Sequence, residues 1–339
     1  MKKVKRITSI LMTCLVTASL ISFQPLPVNA ASATYYVSTS GKDSNNGQSK
    51  DKPFKTIEKA ISKADAGTTI YVMAGTYTSS STFKLTKNGS SSAPIKIRNY
   101  NGQKPVIDFS SQPYADSSRG FQISGSYWQI EGLTIQNAGD NGIHISGKNN
   151  QIKDCFITKC GDTGLQMSNG AANNRIINVT STYNYDSKTD GENADGFAAK
   201  LSVGPGNVFE NCTALHNSDD GFDFYSAGNP VKVYNSEASY NGKKSGNGQG
   251  FKVGGNHTAD KHYLEGCVAI GNKSRGFDQN NNTGAVTLKN CTGTNNNINF
   301  YFPKAPNSGK HDFNGCISNG GKKKDVIVGA KEVNCSFNK

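Results

Sequence analysis

A glycine followed by an apolar residue recurs along this chain at intervals of 22 to 32 residues, and this repeat limits the folds that the chain can adopt. The glycines are Gly120, Gly142, Gly164, Gly196, Gly221, Gly250 and Gly276. Between them lie short stretches of alternating apolar and polar residues, which are typical of β-strands. One such unit cannot bury its apolar face by itself, whereas stacked units pair strand to strand and share one core. The repeat therefore predicts an all-β solenoid, a parallel β-helix.

A second column of small residues lies midway between the glycines. Its members are Cys155, Val179, Cys212, Ser236, Cys267, Cys291 and Cys316, and asparagines follow five residues later at Asn184, Asn217, Asn241, Asn272 and Asn296. Stacked strands hold Cβ atoms about 4.8 Å apart, wider than the roughly 3.8 Å that a disulfide prefers, so we expect buried free thiols. A zinc site is not expected, because the chain has no CxxC pair. We expect the asparagines to form a side-chain ladder along the solenoid.

The N-terminal part of the chain departs from the repeat. Basic residues at positions 2–6, an apolar stretch over residues 7–23 and small residues up to Ala30 predict a signal peptide over residues 1–30, and hence a secreted, extracellular protein. An amphipathic pattern over residues 53–64 predicts a short α-helix that caps the first coil and blocks edge-to-edge pairing. We expect residues 31–339 to form a single domain, with residues 31–110 as the N-terminal cap and first coils.

The charge of the chain indicates an acidic partner. The formal net charge is +12, and it falls to +8 without the predicted signal peptide, which carries four basic residues and no acids. A basic extracellular protein suits a polyuronate, nucleic acid or an anionic cell wall. The basic residues are spread out and not interleaved with aromatic residues, which argues against nucleic acid. We therefore expect a monomer that acts on an acidic polysaccharide and contacts neither nucleic acid nor a membrane.

Four aspartates gather around two of the repeat glycines. Asp195 and Asp220 directly precede such a glycine, Asp219 lies next to Asp220, and Asp223 follows the turn. Because neighbouring coils are stacked, these carboxylates should converge, and they cannot all stay ionised without a cation. A site built only from carboxylate oxygens favours Ca²⁺, which accepts irregular geometry. The alternative for any one of them is ordinary Asp-Gly turn chemistry.

Lys252 occupies the same column as Asp223, one coil further along. A cation beside it should lower the pKa of its amine, which would suit a general base; the alternative is a lysine that simply pairs with Asp223 or Asp278. Arg275 and Lys200 flank this position and are candidates for binding substrate carboxylates, unless they are solvated surface charges. A cation, a basic amine and flanking cations together suit β-elimination at a uronate, in which the proton next to the carboxyl group is removed.

Several segments resemble the family 9 polysaccharide lyases, calcium-dependent pectate lyases with a right-handed parallel β-helix. The opening segments 35–43, 53–57 and 74–77 are shared by many β-helix proteins, whereas segments 193–197, 217–224 and 248–254 are more specific. The resemblance implies that Asp195, Asp219, Asp220 and Asp223 bind calcium and that Lys252 is the catalytic base. It also implies polygalacturonate as substrate, 4,5-unsaturated oligogalacturonides as products and activity at alkaline pH.

Three other functions remain open from the residues alone. A β-helix glycoside hydrolase would use two of the carboxylates as acid and base or nucleophile. A lyase acting on another uronan, such as alginate, would differ only in specificity. A non-catalytic carbohydrate-binding β-helix would not require Lys252 for turnover, which separates it from both enzymes.

Overall fold

The computed structural model describes residues 32–339, and these residues form three parallel β-sheets that run the length of a solenoid. Sheet A consists of β1 (Thr34–Val37), β2 (Thr69–Val72), β5 (Ile95–Asn99), β8 (Trp128–Glu131), β11 (Gln151–Lys153), β14 (Arg175–Ile177), β17 (Val208–Glu210), β20 (Lys232–Tyr234), β23 (Tyr263–Glu265), β26 (Thr287–Lys289), β29 (His311–Asn314) and β32 (Ala330–Val333). Sheet B consists of β3 (Gly75–Thr78), β6 (Pro105–Asp108), β9 (Thr134–Gln136), β12 (Phe156–Thr158), β15 (Thr180–Thr182), β18 (Thr213–Leu215), β21 (Glu237–Ser239), β24 (Val268–Ile270), β27 (Thr292–Thr294) and β30 (Ile317–Asn319). Sheet C consists of β4 (Phe83–Leu85), β7 (Phe121–Ile123), β10 (Ile143–Ile145), β13 (Leu165–Met167), β16 (Phe197–Ala199), β19 (Phe222–Asp223), β22 (Phe251–Lys252), β25 (Arg275–Asp278), β28 (Ile298–Phe302) and β31 (Val326–Ile327).

Each full coil contributes one strand to each sheet, so the predicted all-β parallel β-helix is confirmed. The predicted signal peptide lies outside the described residues. Within residues 32–339, no helix is both long and apolar enough to cross a lipid bilayer.

The N-terminal helix is present but shorter than predicted. Helix α1 (Ile57–Lys63) begins after Thr56, whose side chain accepts a hydrogen bond from the backbone N–H of Lys59 at 3.2 Å. The carboxylate of Asp43 accepts hydrogen bonds from both the backbone N–H and the hydroxyl of Thr56, which fixes the start of the helix there. Phe54 lies outside the helix and forms a β-bridge with Val37. The helix packs against β1 and β2, the first strands of sheet A.

The apolar residues that follow the repeat glycines stack inside the solenoid. The rings of Phe197, Phe222, Phe251, Phe277 and Phe300 follow one another at centroid distances of 4.9, 4.7, 5.0 and 4.9 Å. The glycine is required for this close stacking, because a Cβ atom at Gly221 would lie 2.6 Å from the carbonyl oxygen of Gly250. Phe300 extends the column beyond the predicted repeat, with Asn299 in the place of the glycine.

The column of cysteines faces the interior, as predicted. Cys155, Cys160, Cys212, Cys267, Cys291 and Cys316 are buried, Cys335 is half-buried, and all seven thiols are free within the described part of the chain. The Cys267 thiol lies 3.7 Å from the carbonyl oxygen of Val233 on the preceding coil, at the distance of a weak sulfur hydrogen bond. Burial raises the pKa of Cys155 to about 12, so this thiol stays protonated and unreactive at neutral pH.

The predicted asparagine ladder is also confirmed. The side-chain amides of Asn184, Asn217, Asn241 and Asn272 each donate to the side-chain oxygen of the next asparagine, at 2.8, 3.0, 3.0 and 2.9 Å, and Asn296 donates onward to Asn299 at 2.9 Å. Each asparagine oxygen also accepts the backbone N–H of its neighbour, as Asn241 does from Asn217 at 3.0 Å. Buried polar groups at this bend of every coil are therefore satisfied by the ladder itself.

We expect Asn241→Ala to lower the free energy of unfolding by about 2–4 kcal/mol, because it leaves two donors of Asn217 without an acceptor and opens a small cavity. Urea unfolding followed by circular dichroism measures this change. Asn307→Ala is the matched control, since Asn307 is exposed, and it should change stability by less than about 0.5 kcal/mol. Equal stability of the two variants would contradict a structural role for the ladder.

Candidate active site

A groove of about 770 Å³ runs along the outer face of sheet C. It extends from Tyr225 and Lys252 at one end to Tyr114 and Arg119 at the other. Its lining is rich in acidic and basic side chains, which come from turns before the sheet C strands and from outward-facing positions within them. The groove therefore offers charged groups from several coils to one extended ligand.

Three of the predicted metal ligands meet at the wall of this groove, where Asp223 is among the lining residues and Asp195 and Asp220 are buried. Asp195 precedes β16, Asp220 precedes β19 and Asp223 ends β19, so adjacent coils bring them together. One oxygen from each of the three carboxylates lies within 4.8 Å of the others, and all three side chains are buried. Asp195 also accepts the backbone N–H of Asp220 at 3.2 Å.

The pKa values of these carboxyl groups reflect the cost of burying negative charges together. Burial raises the pKa of Asp195 to about 8, and the carboxylates of Asp223 and Asp219 add to this effect. Burial also raises the pKa of Asp220 well above its usual range, with further contributions from its acidic neighbours. For Asp223, burial acts in the same direction, but the ammonium groups of Lys252 and Lys200 outweigh it and lower the pKa. The cluster thus lacks positive charge to balance all its acids.

The donor set fits a hard divalent cation. The Oδ2 atom of Asp220 is buried and accepts no well-directed hydrogen bond, although the Nζ atom of Lys252 lies 3.2 Å away. Converging carboxylate oxygens with an unsatisfied acceptor are what Ca²⁺ binds in proteins. A cation here would also offset the burial and the mutual repulsion that raise the pKa values of Asp195 and Asp220.

The fourth predicted ligand, Asp219, lies at the edge of this cluster. Its two oxygens accept the backbone N–H groups of Asn193, at 3.1 Å, and of Asn247, at 2.6 Å. Both asparagines belong to long turns that form a wall of the groove. Asp219 therefore fixes the position of this wall, and its role as a metal ligand stays a prediction.

Lys252 lies where the sequence placed it. It pairs with Asp223 on one side and Asp278 on the other in the strand register. Its Nζ atom is 3.2 Å from Asp220 Oδ2 and 3.5 Å from Asp223 Oδ1. Burial lowers the pKa of Lys252, but the carboxylates of Asp223, Asp220 and Asp195 outweigh it and raise the pKa above the usual lysine value. The predicted fall concerns the site with a cation bound, and it stays a prediction.

The two flanking cations occupy different surroundings. The Nζ atom of Lys200 is 2.8 Å from Asp195 Oδ2 and 3.4 Å from Asp223 Oδ2, and its side chain lines the groove. The guanidinium of Arg275 is instead paired with Asp278 at 2.8 Å and stacked 3.9 Å from the ring of Tyr301. Lys200 is thus the nearer of the two to the acidic cluster, and the roles of both in substrate binding stay predictions.

A second acidic pair in the groove was missed from the sequence. Asp140 and Asp162 both stand two residues before a repeat glycine, the position that Asp219 occupies three coils beyond Asp140. Burial raises the pKa of Asp140 to about 7, and the carboxylate of Asp162 adds to this effect. Arg119 lies 3.2 Å from Asp140 at the far end of the groove. Their shared spacing from the glycine is the signal that would have found them.

Comparisons with known proteins agree with this architecture. The family model described as "Pel9A-like, right handed beta helix region" matches residues 35–314. Pectate lyase L of Dickeya dadantii (strain 3937) is 38% identical over 300 residues, which cover 84% of this chain and 70% of that protein. The crystal structure of pectate lyase Pel9A matches with a TM-score of 0.83 and 37% identity, over 88% of this chain and 78% of that one.

A rhamnogalacturonan lyase of known structure is more distant, with a TM-score of 0.76 and 26% identity, over 88% of this chain and 84% of that one. The likeness to Pel9A confirms the predicted right-handed β-helix.

Proposed function

Because this chain belongs to the Pel9A-like right-handed β-helix family, the family 9 polysaccharide lyases, we propose that it is a secreted, calcium-dependent pectate lyase. It would cleave polygalacturonate by β-elimination and leave a 4,5-unsaturated oligogalacturonide end. The observation that carries this proposal is the meeting of three buried carboxylates with the amine of Lys252 at the wall of an open groove.

The proposed calcium ligands are Asp195, Asp220 and Asp223, with Asp219 as a fourth. Their oxygens come from two adjacent coils, so the strand pairing of sheet C sets their spacing. When bound, Ca²⁺ would supply positive charge that offsets these carboxylates and withdraws electron density from the carboxyl group of a uronate.

Lys252 is the proposed base. Its neutral amine takes the proton from C5 of the uronosyl residue. The electron pair of that C–H bond forms the C4–C5 double bond, and the bond from C4 to the glycosidic oxygen breaks with its electrons. The departing oxygen then gains a proton from solvent, which reaches the open groove. The side chain of Lys252 is only 11% exposed, and this packing holds the amine in place for the proton transfer.

Lys200 is our first candidate for binding a substrate carboxylate, because it lines the groove beside the cluster. A cation bound by Asp195 and Asp223 would release the Lys200 ammonium from its present contacts with both. Arg275 is the second candidate, and it would have to exchange its contact with Asp278 for one with substrate.

The proposed setting is extracellular, with an acidic polysaccharide as partner and a monomer as the active form. The basic and apolar N-terminal residues support export, and the net charge of +8 that is left without them suits a polyanionic substrate. A rhamnogalacturonan or another uronan is the alternative substrate, which the likeness to a rhamnogalacturonan lyase favours over a neutral glycan.

We expect the protein to generate the ultraviolet absorbance of an unsaturated product from polygalacturonate when calcium is present. Because elimination needs the neutral amine and a lysine amine is ordinarily protonated at neutral pH, the rate should increase as the pH rises from neutral to alkaline. The carboxylates that raise the pKa of Lys252 in the calcium-free chain move this increase to higher pH, and bound calcium moves it back. Rhamnogalacturonan, tested in parallel, measures the substrate preference. New reducing ends without absorbance would identify a hydrolase, and no product from polygalacturonate at alkaline pH would contradict pectate as the substrate.

A further inference from the structure

An exposed leucine stands in the charged groove beside the proposed active site. Leu201 is 47% exposed and is the one aliphatic side chain among the described residues that line the groove. It directly follows Lys200, so its position is fixed relative to the carboxylate cluster. A single exposed leucine is common on protein surfaces, so its significance depends on its backbone conformation and on the residues beside it.

The backbone of Leu201 is strained. Its φ angle is +58°, in the left-handed region that branched and bulky residues avoid. On the preceding coil, Asn169 occupies the equivalent position with φ +52°, and its backbone N–H donates to the carbonyl oxygen of Leu201 at 3.1 Å. Asparagine tolerates this conformation well, whereas leucine does not. Leucine is thus present at a position where asparagine would be less strained. Because the side chain is half exposed, burial does not offset the cost of the strained backbone.

A tyrosine continues this apolar surface on the next coil. The backbone N–H of Leu201 donates to the carbonyl oxygen of Tyr225 at 3.1 Å, so the two residues lie on adjacent coils. Tyr225 is 39% exposed, and the Nζ atom of Lys252 lies 5.8 Å from the centre of its ring. Gly255 packs against the ring, where a Cβ atom would lie 2.2 Å from it. The tyrosine is thus held in place beside the proposed base.

We propose that Leu201 and Tyr225 form an apolar shelf against which the C–H face of one uronosyl ring packs. This inference rests on the proposed function and adds the contact that sets the ring beside Lys252. A uronate presents a charged carboxylate on one edge and C–H bonds on its ring face. The carboxylate cluster and lysines suit the charged edge, and the shelf suits the ring face.

Replacing Leu201 with asparagine separates substrate contact from backbone strain. We expect Leu201→Asn to raise the KM for polygalacturonate about five- to tenfold with kcat changed less than about twofold, since roughly half of a leucine's burial is lost. The same variant should raise Tm by roughly 1–3 °C, because asparagine relieves the strain. A leucine with a purely structural role would not give higher stability together with weaker binding.

Two further variants serve as controls. Leu201→Met keeps an apolar side chain and should hold KM within about twofold of the wild-type value. Tyr240→Asn is matched in backbone and exposure, since Tyr240 has φ +54° and is 52% exposed, but it follows β21 on sheet B and should leave KM unchanged. An unchanged KM for Leu201→Asn, or an equal rise for Tyr240→Asn, would overturn the shelf.

Binding measured by titration calorimetry keeps this test separate from the proposed chemistry. Polygalacturonate with calcium is titrated into Lys252→Ala protein with and without Leu201→Asn. Weaker binding in the double variant supports the shelf, whether or not the wild type shows turnover. If the wild type shows no turnover, the proposed function fails and the shelf stands. Turnover by the wild type with equal binding by both variants overturns the shelf and leaves the proposed function intact.

Discussion

Lys252→Ala should lower kcat on polygalacturonate by about 10³-fold or more, within the range expected for loss of a general base. The amine of Lys252 lies between the carboxylates of Asp220 and Asp223 and faces the groove. Alanine removes the amine, and the carboxylates that remain beside it are proposed calcium ligands, whose oxygens would be engaged by the cation. Binding of polygalacturonate should persist, because the other charged groups of the groove remain. Initial rates of absorbance increase and calorimetric titration measure the two effects separately.

Two lysine variants control this experiment. Lys252→Arg keeps the positive charge but has a side chain that stays protonated in proteins, so it should be nearly as inactive as the alanine variant. Lys232→Ala removes an exposed lysine from a strand of sheet A, away from the groove, and should retain wild-type kcat. An arginine variant with more than about a tenth of the wild-type rate would show that charge, and not proton transfer, is the contribution of Lys252.

Removing calcium with a chelator should reduce turnover to background, and adding calcium back should restore it. Asp220→Asn should weaken calcium binding at least about tenfold, because a neutral amide replaces one of three converging carboxylates. At a calcium concentration that saturates the wild type, this variant should show little activity, and excess calcium should recover part of it. Titration calorimetry with calcium alone gives the affinity without reference to catalysis.

The thermal stability of Asp220→Asn relative to the wild type should depend on whether calcium is present. Saturating calcium stabilises the folded wild type by mass action, about 2.7 kcal/mol at a hundred times its Kd. Without calcium, Asp220→Asn should be at least as stable as the wild type, since burial and the acidic neighbours raise the pKa of Asp220 and so disfavour its charged form, whereas the amide is neutral. Asp260→Asn, at a buried aspartate outside the groove lining, should keep the calcium-dependent shift in Tm. An equal shift for Asp220→Asn would contradict Asp220 as a ligand.

The strand columns could be predicted because the repeat glycine fixes the register of each coil. Once Gly221 and Gly250 are aligned, the alternation of side chains places Asp223 next to Lys252, and the structure has this pairing. Phe300 was missed because Asn299 replaces the glycine that marks the other coils. The spacing of the glycines was thus enough to align the other coils, and it failed for the coil in which asparagine replaces the glycine.

Other features depend on contacts that no local pattern reveals. The helix starts later than predicted because Asp43, thirteen residues away, binds Thr56. The direction in which the pKa of Lys252 is shifted depends on the distances from its amine to three carboxylates, and the strand register does not give those distances. Arg275 was placed on the correct coil, but its pairing with Asp278 and its stacking on Tyr301 follow from side-chain packing.

The buried free thiols bear on the redox conditions under which this solenoid stays folded. Since no sulfur–sulfur bond joins the coils of residues 32–339, their cohesion comes from strand pairing, ring stacking and the amide ladder. None of these interactions consumes electrons or depends on an oxidant. A protein built in this way should keep its shape under reducing as well as oxidising conditions, whereas a secreted protein that depends on disulfides loses stability once they are reduced.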